Sequence, residues 1–334
     1  MKKFLVLSLT LVSVILSGCK TKVTKLPMVS GKAGEIYVIA EKAAWDGAFG
    51  SSVRDVLAAD CKFLPQREPL YDLTNITPTN FTNMFKIHRN LIIAYASSEV
   101  AENKMEIHYN VFAQPQIVIY LRATTSEGLN ELFNANSEKI LNAFEQQERD
   151  RILVNTQKYQ ETSLHDAIRE EFNADMYFPS GYRMKKHTQN FIWIAYETNH
   201  TQQGIFIYHY PATNSEIEFS QPNMVATRNE VLQANVPGMF ENTYMTTSTF
   251  ASPEVKYVRY KGRDFAEMRG LWEVKNDYMG GPFVSHSFYS PDGKEVIVLE
   301  GWVYAPKYDK RHFLRQVESI LYSYTPVVEE KEEK

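Results

Sequence analysis

The apolar positions of this chain follow three patterns. The first is one run, Phe4 to Leu16, broken only by Ser8, Thr10 and Ser13. The second, Glu35 to Phe172, alternates short β-branched blocks with stretches of helical spacing. The third, Phe191 to Tyr304, is a series of aromatic-rich blocks separated by turns and followed by one more helical stretch.

In the second pattern, Glu35 to Ala40 predicts a buried strand and Ala43 to Asp60 a helix with Val53, Val56 and Leu57 on one face. Leu64 to Pro69 is extended, because each proline restricts the residue before it. Thr77-Pro78 opens a helix carrying Phe81, Met84 and Phe85. Strands follow at Asn90 to Tyr95, Ile107 to Phe112 and Gln116 to Leu121, and Thr125 to Phe172 is helical. The charged run Glu145 to Arg151 reads as a solvated face. The whole predicts an α/β lobe ending in long helices.

The third pattern predicts an antiparallel pair, Phe191 to Tyr196 with Ile205 to Tyr210, and a short helix from Met224 to Asn235. Strands follow at Val255 to Tyr260, Phe265 to Val274, Phe283 to Tyr289 and Glu295 to Tyr304. Period-two alternation puts Ala266, Met268, Gly270, Trp272 and Val274 on one face, with Glu267, Arg269 and Glu273 on the other. Asp309 is placed to cap a last helix carrying Phe313, Leu314, Val317, Ile320 and Leu321. The fold class is α+β: an N-terminal α/β lobe, then an antiparallel sheet with helices packed on one face.

The first run has a different meaning. Lys2 and Lys3 precede it, and Leu16-Ser17-Gly18-Cys19 ends it. A charged start, a short apolar core and small residues before a cut site make a secretory signal. The core is too short for a permanent span of a ~30 Å hydrocarbon layer. The ending resembles a bacterial lipobox, in which the cysteine becomes the acylated first residue. The chain then divides into a signal peptide at 1–18, a tether at 19–33, the α/β lobe at 34–175, the aromatic-rich α+β lobe at 176–326 and an acidic tail at 327–334. Lys20, Lys22 and Lys25 in the tether suit anionic headgroups, and no acidic residue follows Cys19 directly. The expected setting is the Gram-negative cell envelope, anchored to the outer membrane on its periplasmic face, with surface exposure as the other possibility.

Charge narrows the partners. The chain has 36 Lys and Arg against 40 Asp and Glu, a net charge of −4. A nucleic-acid binder would carry a basic stripe, so no nucleic-acid partner is expected. The remaining cysteine, Cys61, has no internal partner for a disulfide once Cys19 is acylated, and reads as an inert, buried thiol. The eight histidines are scattered without metal-ligand spacing, and no Gly-x-Ser-x-Gly, His-Glu-x-x-His or Walker loop is present. The sequence thus points to no metal, cofactor or catalytic residue.

Seven residues are candidates for ligand binding. Arg67 and Arg89 have the geometry to grip a carboxylate or phosphate. Glu300 sits in the apolar strand Val296 to Tyr304, where a carboxylate is costly unless paired, with Arg269 or His286 as candidate partners. Trp272, Trp302, Tyr304 and Glu300 would line a cleft. The competing reading is a structural ion pair or an edge-exposed carboxylate.

Several strings resemble a family of lipid-anchored envelope proteins that share a domain of unknown function, numbered forty-eight thirty-seven. They are Gly31-Lys32-Ala33-Gly34-Glu35, Phe85-Lys86-Ile87-His88-Arg89-Asn90, Arg269-Gly270-Leu271-Trp272-Glu273, Met279-Gly280-Gly281-Pro282-Phe283 and Glu300-Gly301-Trp302-Val303-Tyr304-Ala305-Pro306. The resemblance implies an envelope lipoprotein and brings no activity with it. Phe178-Pro179-Ser180-Gly181-Tyr182, with the closing Leu321-Tyr322-Ser323-Tyr324, is similar to the PsbP and Mog-one-like fold. The expected function is binding or scaffolding, with an envelope protein or a small ligand as partner. The alternative is an envelope hydrolase acting on glycan or peptide through carboxylates assembled by folding.

Overall fold

The structure, a computed structural model, describes residues 25–327. The signal stretch, Cys19 and the acidic run after Val327 lie outside the described residues.

In the first lobe, β1 (Glu35–Ile39) leads to α1 (Lys42–Asp46) and α2 (Ala48–Leu57). The single helix expected over 43–60 is broken at Gly47, whose backbone is extended. There the chain folds so tightly that Gly50 lies against the Trp45 carbonyl, where a Cβ would clash. β2 (Asp72–Ile76) follows, and the helix expected after Thr77 is a 3₁₀ turn and the short α3 (Asn83–Lys86). Next come β3 (Asn90–Ala96), β4 (Lys104–Tyr109) and β5 (Ile117–Ala123). The sheet order is β2-β1-β3-β5-β4, parallel except for the β4 edge. β4 starts and ends three residues earlier than expected.

The 33-residue α4 (Ser126–Lys158) opens on Thr125, whose side-chain oxygen accepts from the Gly128 amide at 3.0 Å. Phe133, Ile140 and Phe144 of α4 and Phe49, Val53 and Leu57 of α2 pack on Ile36, Val38, Ile92 and Ile119 of the sheet. The other sheet face is covered more thinly, by Phe81, Val111 and Phe112 over Ile39, Leu91 and Val118.

Then α5 (Thr162–Phe172) and the two-residue β6 (Ala174–Asp175) lead into the second lobe. Leu164 and Ile168 of α5 pack in that lobe's core. Its elements are β7 (Arg183–Thr188), β8 (Phe191–Glu197), β9 (Gln202–Pro211), α6 (Gln221–Asn235), β10 (Met245–Thr247), β11 (Glu254–Tyr260), β12 (Arg263–Val274), β13 (Gly280–Tyr289), β14 (Glu295–Tyr304), α7 (Arg311–Tyr322) and β15 (Thr325–Pro326). The large antiparallel sheet runs β10-β12-β13-β14-β9-β8-β7, with β11 also on β12.

The α+β class is as expected, but the helices divide between the two faces. α7 covers the face of Ile297, Leu299 and Val303. α6 covers the face of Val298, Trp302, Met268 and Trp272. Both faces carry apolar side chains at period two, so each needs a cover.

α7 also joins the lobes. Its N-cap position is Lys310, and Asp309 makes no cap. Instead the Glu68 carboxylate of the first lobe accepts from the amides of Lys310 (2.7 Å) and Arg311 (2.9 Å). Arg311 donates to Asp72 at 2.7 Å and Arg315 to Glu145 at 2.6 Å. The Arg149 guanidinium lies 3.6 Å from the Tyr322 ring centre. The Glu145 to Arg151 run is therefore not a solvated face but the seam between lobes, with Glu148 and Arg151 buried. Charge density alone does not reveal this, because the partner of Glu145, Arg315, is 170 positions away and Glu148 is buried against Arg151 and Arg89.

Candidate functional site

Strand parity in β14 places Glu300 with Val298 and Trp302, facing α6. Its partner is Arg228, on the α6 stripe Met224, Arg228, Leu232. Arg228 donates from Nε and Nη2 to the two carboxylate oxygens, each at 2.8 Å, and from Nη1 to Thr247 Oγ1 at 2.9 Å. Its guanidinium also lies 3.9 Å from the Phe283 ring centre. Both charged side chains are fully buried. The expected partners Arg269 and His286 are on the opposite sheet face. Arg269 donates to Glu267 (2.7 Å) and Glu318 (2.6 Å) on the α7 side.

Trp272 and Trp302 do not line a cleft. They are core side chains with ring centres 5.4 Å apart, and the Trp272 indole donates to the Val303 carbonyl at 3.2 Å. Gly204 lies under Trp302 so closely that a Cβ would fall 2.2 Å from the ring. Tyr304 is half-buried, 6.3 Å from Trp272. Glu300, Trp272, Trp302 and Tyr304 are thus brought together, but as packing around an ion pair.

The other two candidates are apart from this group and from each other. Arg67 is exposed and pairs with Asp60 at 2.9 Å. Arg89 lies 3.7 Å from Glu148 in a buried polar cluster. In that cluster Asn90 Nδ2 donates to Glu148 at 2.8 Å, and Arg151 donates to Asn90 Oδ1 (2.9 Å), Glu148 (3.0 Å) and the Arg89 carbonyl (2.8 Å). Burial alone would raise the Glu148 pKa, but Arg151 and Arg89 hold it below the usual carboxylate range. The same burial lowers Arg151 to about 10. These groups pin α4 to the start of β3.

An open concavity lies elsewhere among the described residues, between α6 and the ends of β7, β8 and β9, with a volume of about 630 Å³. Thr188, Gln189 and Asn190 of the β7–β8 turn form one wall. Asn223, Thr227 and Glu230 of α6 form the other. Phe191, Tyr208 and Val231 lie between them. At one end Glu218 accepts from the Thr213 amide (2.9 Å), the Asn214 amide (3.0 Å) and the Tyr289 hydroxyl (2.8 Å). Burial opposes its ionisation, but those donors outweigh it and keep Glu218 below the ordinary glutamate pKa. Burial and the neighbouring Glu218 push Tyr210 up to about 12.

The cleft therefore presents amides, hydroxyls, the His209 imidazole and the Glu230 carboxylate, which has no ion-pair partner among the described residues, around an apolar floor. Such walls hydrogen-bond a neutral polar ligand in fixed orientation. None of the seven candidates lies in it. Its one sequence signal is that α6 carries polar residues on two flanks of a narrow apolar stripe; that a turn faces one flank is settled only by the fold. Among the described residues no cluster of three or more His, Cys, Asp and Glu is placed to hold a metal ion.

No curated protein sequence matches the chain. Among solved structures, the Ran-binding protein Mog1p of Saccharomyces cerevisiae is similar at 8% identity, covering 46% of this chain and 90% of its own, with a TM-score of 0.30. A protein from Bacteroides thetaiotaomicron is similar at 11% identity, covering 47% and 46%, with a TM-score of 0.25. The lipid transfer and protein localization domain of human StarD13 is similar at 12% identity, covering 50% and 96%, with a TM-score of 0.22. Two family profiles match separate parts of the chain. Residues 29–158 match Domain of unknown function (DUF8532), which takes in the strings at Gly31 and Phe85. Residues 161–323, with the strings at Arg269, Met279 and Glu300, match Domain of unknown function (DUF4837), so that profile reaches the second lobe and not the strings at Gly31 and Phe85.

Proposed function

We propose that the chain is a lipid-anchored cell-envelope protein that acts by binding, and that the cleft beside α6 is its ligand site. The observation that carries this reading is the cleft itself: about 630 Å³, walled by Gln189, Asn190, Asn223 and Thr227 over Phe191 and Tyr208. Planar amides and hydroxyls above aromatic carbon suit a neutral, hydroxyl-rich ligand, such as an envelope oligosaccharide. Elsewhere, Arg228 with Glu300 and Arg151 with Glu148 form buried structural pairs. The anchor reading rests on Leu16-Ser17-Gly18-Cys19 after the apolar run.

The test is calorimetric titration of the detergent-solubilised full chain with envelope oligosaccharide fragments. Saturable binding that Thr227→Trp weakens at least tenfold, with the oligosaccharide recovered intact, supports the reading. No binding, or cleaved fragments, overturns it. Cleavage would favour the hydrolase alternative.

A further inference from the structure

The start of the described chain is built into the first lobe. The Pro27 carbonyl accepts from the Gln114 amide at 2.8 Å, and the Val29 amide donates to the Gln114 carbonyl at 3.1 Å. The Ser30 amide donates to the Ile87 carbonyl at 2.9 Å, and its carbonyl accepts from the Arg89 amide at 3.1 Å. Residues 27–30 thus lie between segments 114–116 and 87–89, at the edge where β3 and β5 begin. β4 runs the other way, so its last residue, Tyr109, reaches the same edge opposite Ile117. α4 arrives there too, because Arg151 donates to the Pro115 carbonyl at 2.9 Å.

Exposed apolar side chains lie on these segments and on α3 just before residue 87. Met28 and Met84 are each 69% exposed, Val154 66% and Tyr109 55%. Cations accompany them. Lys25 and Lys158 are exposed, Lys158 one helical turn after Val154, and Lys86, beside Ile87, is half-buried near the Phe81 and Phe112 rings. Exposed apolar residues and lysines on neighbouring segments match the border between anionic headgroups and acyl chains.

The tether decides what covers this edge. Seven residues lie between Cys19 and Pro27, which makes eight Cα-to-Cα steps. Fully extended, they span at most about 28 Å. If Cys19 carries acyl chains, the edge that holds Pro27 cannot leave the bilayer surface by more than that.

We propose that this edge of the first lobe, Met28, Met84, Tyr109 and Val154 with Lys25, Lys86 and Lys158, lies on an anionic bilayer surface. The opposite edge of the sheet, where β3 ends and Glu99 is exposed, then points away from the membrane. The proposal rests on the anchor reading above.

The test uses the acylated full chain in a Cys61→Ser background, reconstituted in vesicles of phosphatidylethanolamine and phosphatidylglycerol. An environment-sensitive fluorophore is attached at Met84→Cys, Tyr109→Cys or Glu99→Cys, all exposed positions. Brominated lipids are expected to quench the labels at 84 and 109 at least threefold more than the label at 99. Changing Lys25, Lys86 and Lys158 to glutamate is expected to remove most of that difference, with flotation on the vesicles retained. Equal quenching at all three positions, with the protein still floating, overturns the proposal and leaves the anchor standing. So does crosslinking of position 84 to a protein without lipid quenching. Failure to float overturns the anchor and this orientation together.

Discussion

Arg228 and Glu300 meet through two hydrogen bonds of 2.8 Å, with neither side chain reaching solvent. The pair ties α6 to the middle of the β9–β14–β13 sheet, and α6 in turn makes one wall of the cleft. A buried charge left alone is costly, whereas an apolar pair of like volume is often tolerated. Glu300→Gln and Arg228→Met singly are each expected to destabilise the fold by about 3–5 kcal/mol. Arg228→Met with Glu300→Leu is expected to lose far less. Urea unfolding followed by tryptophan fluorescence measures all three.

Among the described residues His286 has no hydrogen-bond partner on either ring nitrogen, and it lies 3.7 Å from Glu267 between Phe265 and Tyr322. Burial lowers its pKa to about 4, against the pull of Glu267. An unfolded histidine binds its proton near pH 6.5. Between these values the unfolded state holds the extra proton, so stability falls as pH drops from about 6.5 to 4. The loss is on the order of 3 kcal/mol. Glu267, held below its usual range by Arg269 and His286 against burial, adds a further loss below about pH 4.5. His286→Phe is expected to flatten the upper part of this profile, as read by urea midpoints from pH 7 to 4.

Glu68 caps α7 from the other lobe. Removing an N-cap costs about 0.5–2 kcal/mol. Glu68→Ala is expected to cost at least that much and to loosen the coupling between lobes. Calorimetry should then show a broadened or split thermal transition where the parent shows one.

Cys61 is half-buried, and burial raises its thiol pKa to about 11, although Arg315 and Arg269 act in the opposite direction. Two pKa units above an ordinary thiol mean about one hundredth of the thiolate at pH 8. Its reaction with iodoacetamide is expected to be slower than that of a free cysteine by at least this factor. A comparable rate would contradict the geometry.

Much of the fold is readable in the sequence because strand alternation and turn chemistry are local. The parity of Glu300 with Trp302, and of Arg269 with Glu267, follows from period two alone. The partner of Glu300 does not, because Arg228 is 72 positions away on a helix whose face depends on the finished sheet. Its trace is Arg228 standing between Met224 and Leu232 in an apolar stripe. Asp309 is well placed as a cap by spacing, yet Glu68 takes the role because the lobes dock there. The charged run at Glu145 misleads for the same reason. The cleft leaves only the polar flanks of the α6 stripe in the sequence, since its walls come from a turn and a helix flank with unremarkable polar residues.

The account depends most on the anchor at Cys19. Mass spectrometry of the N-terminal peptide, taken from the protein purified out of membranes, measures it directly. The expected peptide begins at Cys19 and carries acyl chains on both its thiol and its amine. A peptide beginning elsewhere, or an unmodified Cys19, would contradict the account.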